Sequence, residues 1–196
     1  MTEKYRIAIF ASGNGSNAEE IIKYFKHHAS ISVDIIVSNN PKAFVLERAK
    51  RNNIPILVMT RKEFEETVAS RLLALQITHI VLAGFLWLIP TSLLQKFPNR
   101  IINIHPALLP KFGGKGMYGM KIHESVRLAN EKESGITIHI VDEKYDEGTI
   151  LYQHKCDITL ADTPQQIAEK VHQLEYTWYP RIIEKWISEP SNGTGS

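Results

Sequence analysis

Tyr5-Arg6-Ile7-Ala8-Ile9-Phe10-Ala11-Ser12-Gly13-Asn14-Gly15-Ser16-Asn17-Ala18 is the stretch on which the fold turns. The apolar run from Tyr5 to Ala11 has the character of a buried strand, and it breaks at the glycines. Ala18, Ile22 and Phe25 then recur at helical spacing. The unit is strand, glycine loop, helix. Ser16 and Glu19 have the spacing of a capping box, which places the helix start at the loop. Glycines let backbone N–H groups approach a ligand, and the helix dipole favours an anion there, so Gly15, Ser16 and Asn17 are candidate phosphate ligands. Gly13, Gly15 and Ala18 also satisfy the dinucleotide fingerprint. The second strand, Val33 to Val37, ends in Ser38-Asn39-Asn40-Pro41, with no acidic residue to hold a ribose hydroxyl. A single phosphate is therefore preferred, with a helix-capping turn that binds nothing as the plain alternative.

Downstream the alternation continues. A helix is expected over Ala43 to Arg51, a strand over Ile54 to Met59, a helix over Glu63 to Leu75 and a strand over Ile77 to Ala83. Strands alternating with helices through short connections predict a doubly wound, mostly parallel α/β sheet covered on both faces. The run Phe85-Leu86-Trp87-Leu88-Ile89-Pro90 is apolar enough to be core or the wall of a pocket, and composition favours core.

Asn103-Ile104-His105-Pro106 ends the next strand. Side chains alternate, so Asn103 and His105 share one side, and an amide and an imidazole among β-branched neighbours need partners. Pro106 and Pro110 stop the strand and leave both groups at its carboxyl end, where open α/β sheets bind ligands. Lys111 to Met120 carries four glycines and reads as a loop over a site. A helix is expected from His123 to Asn130. Ile136 to Val141 alternates, with His139 a second internal histidine, and Ile150 to Ile158 returns as its hairpin partner. The acidic loop between them, Asp142 to Gly148, taken alone reads as a solvated turn. Asp162 or Thr163 caps the last helix, whose buried stripe runs through Ile167, Val171 and Leu174 with Glu175 beside it. Pro180 is expected to bend or end that helix.

The chain has 196 residues, 43% hydrophobic and 22% charged, which suits one domain over residues 1–189 with a polar tail at 190–196. A net charge of +2 without a basic block argues against nucleic acid. The lone Cys156 permits no internal disulfide and suits a reducing compartment. No run approaches the ~20 apolar residues of a membrane span, so a cytoplasmic protein without membrane attachment is expected, either monomer or homodimer.

Ser12 to Asn17 after strand one, Ala83-Gly84-Phe85 after strand four, Asn103-Ile104-His105-Pro106 and Asp146-Glu147-Gly148 together resemble the folate-dependent formyltransferases, in matching order from Arg6 to Ile187. The resemblance implies a Rossmann-like formyltransferase fold with an added antiparallel hairpin. It also implies formyl transfer from 10-formyltetrahydrofolate to the amine of glycinamide ribonucleotide in purine biosynthesis, with no metal. It implies catalytic roles for Asn103, His105 and Asp146, phosphate binding at Gly15, Ser16 and Asn17, and a ribose contact at Glu175. Folate is then held by Leu86, Trp87, Leu88, Ile89, Asn103, Asp142 and Asp146. Trp87 stands where a basic residue is the family pattern, the Lys111 to Met120 loop differs from the Pro-Gly form, and Arg61 is the candidate for the arginine after strand three. In this chemistry Asn103 would donate to an oxyanion, and Asp146 would keep the His105 pKa near or above neutrality. Related formyltransferases that act on tRNA or deformylate folate are longer, and a non-catalytic nucleotide-binding module would leave Asn103, His105 and Asp146 without a shared purpose.

Overall fold

The computed structural model describes residues 4–189; the tail expected at 190–196 lies outside the described residues. Strand β1 (Tyr5–Phe10) leads through the glycine loop into α1 (Ser16–Phe25), followed by β2 (Ile31–Ser38), α2 (Val45–Arg51) and β3 (Ile56–Val58). Next come α3 (Arg61–Ala74), β4 (His79–Leu82), α4 (Thr91–Lys96), β5 (Ile101–His105) and α5 (Met120–Leu128). The hairpin strands β6 (Glu133–Ile140) and β7 (Ile150–Asp157) precede the long α6 (Pro164–Ser188). The sheet runs β3-β2-β1-β4-β5-β6-β7. The first five strands are parallel, and β6 and β7 are antiparallel additions. This is the doubly wound α/β sheet with a hairpin that the alternation demanded. No helix among the described residues is long and apolar enough to cross a membrane.

Alternation within the strands sorts the core into two layers. Ile7, Ile9, Val81, Ile102 and Ile104 pack with α1, α2, α5 and α6, whereas Ala8, Phe10, Ile80, Leu82 and Ile101 pack with α3 and α4. Tyr179 of α6 is wholly buried, and its hydroxyl donates to the Leu82 carbonyl at 2.8 Å, beside the end of β4. A paired hydroxyl there contributes about 1 kcal/mol and ties α6 to the edge from which the site opens.

Two local expectations change. Ser16 and Glu19 form no capping box: Gly15 is the N-cap, at φ 75° with no side-chain cap, and Glu19 pairs instead with Arg48. Capping boxes occur at Thr60 with Glu63 and at Thr163 with Gln166. The helix carrying Pro180 continues unbroken to Ser188, because Tyr179, Pro180, Ile183 and Ile187 are buried against the sheet, which outweighs one lost backbone hydrogen bond.

Candidate active site

The strand order reverses at β1 and β4: from β1 the chain winds outward to β2 and β3, then crosses back to β4 on the other side. Loops leaving the two strands diverge there and open a crevice. Ser12 joins them, its N–H donating to the Gly84 carbonyl at 3.0 Å and its Oγ accepting from the Leu86 N–H at 3.0 Å. The resulting cavity of about 640 Å³ is lined by Ser12 to Asn17, Leu82 to Ile89, Asn103 to Pro106, part of the glycine-rich loop, and Asp146, His172 and Glu175.

At one end stands the glycine loop. A Cβ on Gly15 would fall 2.4 Å from Val45 Cγ2, so α2 packs directly on its backbone. The Val45 N–H donates to the Gly13 carbonyl, and Arg48 holds Asn14 twice, Nε to the carbonyl at 2.9 Å and Nη2 to the side-chain oxygen at 2.7 Å. Gly15, Ser16 and Asn17 therefore sit on a braced loop at a helix N-terminus, which is the geometry that suits an anion. Asn17 Nδ2 donates to Glu175 Oε2 at 3.1 Å, and the buried Asn17 Oδ1 has no partner among the described residues. Glu175, 4% exposed, also faces His172 Nδ1 at 2.7 Å. That contact raises the His172 pKa above its ordinary value against the opposing effect of burial.

At the other end, β5 and the hairpin bring the polar groups together. Asn103 lies opposite His139 and His105 opposite Thr137 in the antiparallel register. Opposed residues share a face, so all four project to one side. Thr137, fully buried, accepts from the Leu109 N–H and donates to the Ala107 carbonyl, pinning the turn after His105. Asp146 reaches in from the loop between β6 and β7 with φ 59°, a left-handed backbone of the kind that concentrates at functional sites. Its Oδ2 is 3.5 Å from His105 Nδ1 and its Oδ1 3.6 Å from His139 Nε2. Asn103 Nδ2 lies 3.2 Å from His139 Nε2 and 3.4 Å from Asp146 Oδ1. His139 Nδ1 is 2.9 Å from the Ile140 carbonyl, which can only accept. When the ring is neutral its proton sits on Nδ1 and Nε2 accepts from the Asn103 amide; when it is protonated, Nε2–H is the donor that faces Asp146 Oδ1.

Burial raises the Asp146 pKa, but the imidazoles of His139 and His105 and the Gly114 N–H outweigh it and hold the carboxyl below its usual range. The expectation for His105 is corrected. At 4% exposure, desolvation of the imidazolium exceeds the attraction of Asp146 and of the Phe112 carbonyl, so its pKa is lowered and the resting ring is neutral at pH 7.

The apolar run splits between its two readings. Ile89 is core at 3% exposure, Leu86 is 47% exposed at the cavity, and Trp87 packs edge-on against Phe64 with the Arg61 guanidinium 5.2 Å from its ring centroid. Leu86, Trp87, Leu88 and Ile89 all line the cavity. From the acidic loop, Lys144, Tyr145 and Asp146 reach the cavity wall, while the Asp142 carboxylate turns back to the Lys144 N–H at 2.9 Å. Sequence reasoning marks His139 as an internal histidine but gives it no role, and passes over His172 and Arg48. The signal for His139 was its place opposite Asn103, which is visible only once the hairpin register is known.

The chain matches the formyl transferase family over residues 5–183. It is 37% identical over 195 residues to the phosphoribosylglycinamide formyltransferase of Bacillus subtilis, covering 96% of this chain and 97% of that one. It is 38% identical over 187 residues to the chloroplastic phosphoribosylglycinamide formyltransferase of Arabidopsis thaliana, covering 91% of this chain but spanning only 64% of that protein's length. The crystal structure of phosphoribosylglycinamide formyltransferase from Bacillus halodurans superposes with a TM-score of 0.85 at 36% identity, covering 97% of this chain and all of that one.

Proposed function

The chain belongs to the formyl transferase family, and we propose that it transfers a formyl group from 10-formyltetrahydrofolate to the amine of glycinamide ribonucleotide, in the cytoplasm, as one catalytic unit over residues 1–189. One observation carries the reading: a braced anion loop and the Asn103, His105 and Asp146 constellation face the same cavity. The volume of about 640 Å³ falls in the range of small-molecule sites. Its apolar wall at Leu86 to Ile89 suits the flat ring of a folate, with Asn103 and the loop from Asp142 to Asp146 holding the ring's polar edge. Gly15, Ser16 and Asn17 take the substrate phosphate, and Glu175 takes the ribose hydroxyls.

The folate supplies an activated formyl group on a nitrogen able to leave; the protein moves protons and holds charge. A primary amine of ordinary pKa near 8 arrives largely as an ammonium. Neutral His105 is suited to that state, because Nδ1 takes one ammonium proton and frees the nitrogen lone pair to attack the formyl carbon. The carbonyl electron pair moves onto oxygen, where the Asn103 amide donates to the developing oxyanion, a contact typically worth ~3 to 4 kcal/mol. As the bond from carbon to the folate nitrogen breaks, His105 returns its proton to that nitrogen. Asp146 takes the second amine proton and passes it to solvent. The products are the formylated amide, the protonated folate nitrogen and one released proton, so a lowered His105 pKa serves base and acid in turn.

The test is a formyl-transfer assay with 10-formyltetrahydrofolate, run with and without glycinamide ribonucleotide. Folate turnover only when the ribonucleotide is present is expected. Turnover that ignores the ribonucleotide, or its absence in both, overturns the assignment.

A further inference from the structure

The second ring nitrogen of His105 is held by backbone. Nε2 lies 2.8 Å from the Phe112 carbonyl, an acceptor only, so this nitrogen carries the proton of the neutral ring. Two residues further on, the Gly114 N–H donates to Asp146 Oδ2 at 2.9 Å. That oxygen is the one 3.5 Å from His105 Nδ1. One short stretch of the glycine-rich loop therefore grips both members of the pair, a carbonyl on the imidazole and an N–H on the carboxylate.

The local sequence explains how the grip is held. Phe112 has φ 58°, a left-handed conformation that is strained for a residue with a Cβ. Its half-buried ring packs against the larger core layer and anchors the backbone in that conformation. At Gly113 a Cβ would lie 2.5 Å from Leu109 Cδ2 and 3.3 Å from Asp146 Cβ, so a larger residue would have to displace the buried Leu109 methyl and press on Asp146. Gly114 has φ 93° and open space around it, so its role is the turn that points its N–H at the carboxylate.

Building on the formyl-transfer reading, we propose that Phe112 to Gly114 is a positioning element that fixes the His105 tautomer, so that Nδ1, facing Asp146, is the nitrogen that exchanges the catalytic proton. A carbonyl here does for the ring what a buried carboxylate does in a serine hydrolase: it selects the tautomer and the orientation. It does so without a second negative charge beside Asp146, which leaves Asp146 free to face Nδ1.

The experiment is two-bond proton–nitrogen NMR of the imidazoles in the intact protein, with His105 assigned by comparison with His105→Asn, alongside steady-state kinetics. The expected signal is a neutral ring protonated at Nε2. Phe112→Ala removes the anchor and Gly113→Ala pushes the loop off Asp146, so both should mix the tautomers and lower kcat at least about tenfold. The KM for glycinamide ribonucleotide should stay within about threefold, and Phe112→Leu, which restores an apolar anchor, should recover both signals. A ring protonated at Nδ1 in the parent protein overturns the proposal. So does either loop variant that keeps the parent tautomer, or that loses it with kcat unchanged. A correct tautomer in a protein without formyl transfer would instead refute the functional reading and leave the clamp standing.

Discussion

His139 lies directly across the β5–β6 ladder from Asn103, with its Nε2 3.2 Å from the Asn103 amide nitrogen and 3.6 Å from Asp146 Oδ1. The amide thus reaches the space above His105 already oriented by a neighbour whose own tautomer is set by a backbone carbonyl. Replacing His139 by Leu leaves the strand pairing intact but removes the acceptor for the amide. A fall in kcat of about tenfold is expected, with folate binding measured by fluorescence titration little altered.

Removing the reacting groups has a larger effect. His105→Ala and Asp146→Asn each lower kcat by ~10²- to 10⁴-fold, the range typical of general acid–base residues, while the KM for folate moves by less than about threefold. Wild-type turnover in either variant would remove both residues from the mechanism.

Arg48 does not itself line the cavity, yet its guanidinium holds both the carbonyl and the side chain of Asn14, which does, while pairing with Glu19. Arg48→Met releases the loop from α2. The expected outcome is a KM for glycinamide ribonucleotide raised about tenfold, equivalent to 1.4 kcal/mol, with kcat nearly unchanged in steady-state assays.

Gly15 tests the same loop from inside. Alanine there must adopt φ 75° and thrust its Cβ to 2.4 Å from Val45 Cγ2 and 2.9 Å from Val45 Cα, which is backbone and yields little. Gly15→Ala should lose about 1 to 3 kcal/mol in urea denaturation and should no longer bind inorganic phosphate in calorimetry.

His123 provides the pH dependence. It is 2% exposed with its Nδ1 unpartnered among the described residues, and burial, aided by the charge of His172 and opposed by Glu175, lowers its pKa to about 4. Its folded pKa lies below the unfolded value, so the unfolded chain binds more protons as pH falls from about 6.5 towards 4, and stability drops across that window. The limit for this one group is about 3 kcal/mol. His123→Phe should match the parent protein at pH 7.5 and exceed it at pH 5 in denaturant titrations; equal acid sensitivity would show that His123 is not the group responsible.

Much of the architecture was legible because it rests on local periodicity. The strand, glycine loop and helix at Tyr5 to Phe25, the later alternation of strands and helices, and the amide and imidazole stranded between Ile102 and Pro106 follow from side-chain alternation and from what proline and glycine do to a backbone. Ser16 was misread as a cap because its spacing to Glu19 is all that sequence shows; Arg48, a distant residue, claims Glu19 in the fold.

By itself the sequence determined the fold class, the end of the sheet where ligands bind, and the residue types able to move protons, since each depends on neighbours within a few positions. Tertiary structure alone decided which groups meet. Asp146 comes within 3.5 Å of His105 only because a hairpin folds back against β5, and His139 joins them only through the strand register. The same packing lowers the His105 pKa, because desolvation depends on everything that surrounds a group, and a linear chain does not state its own surroundings.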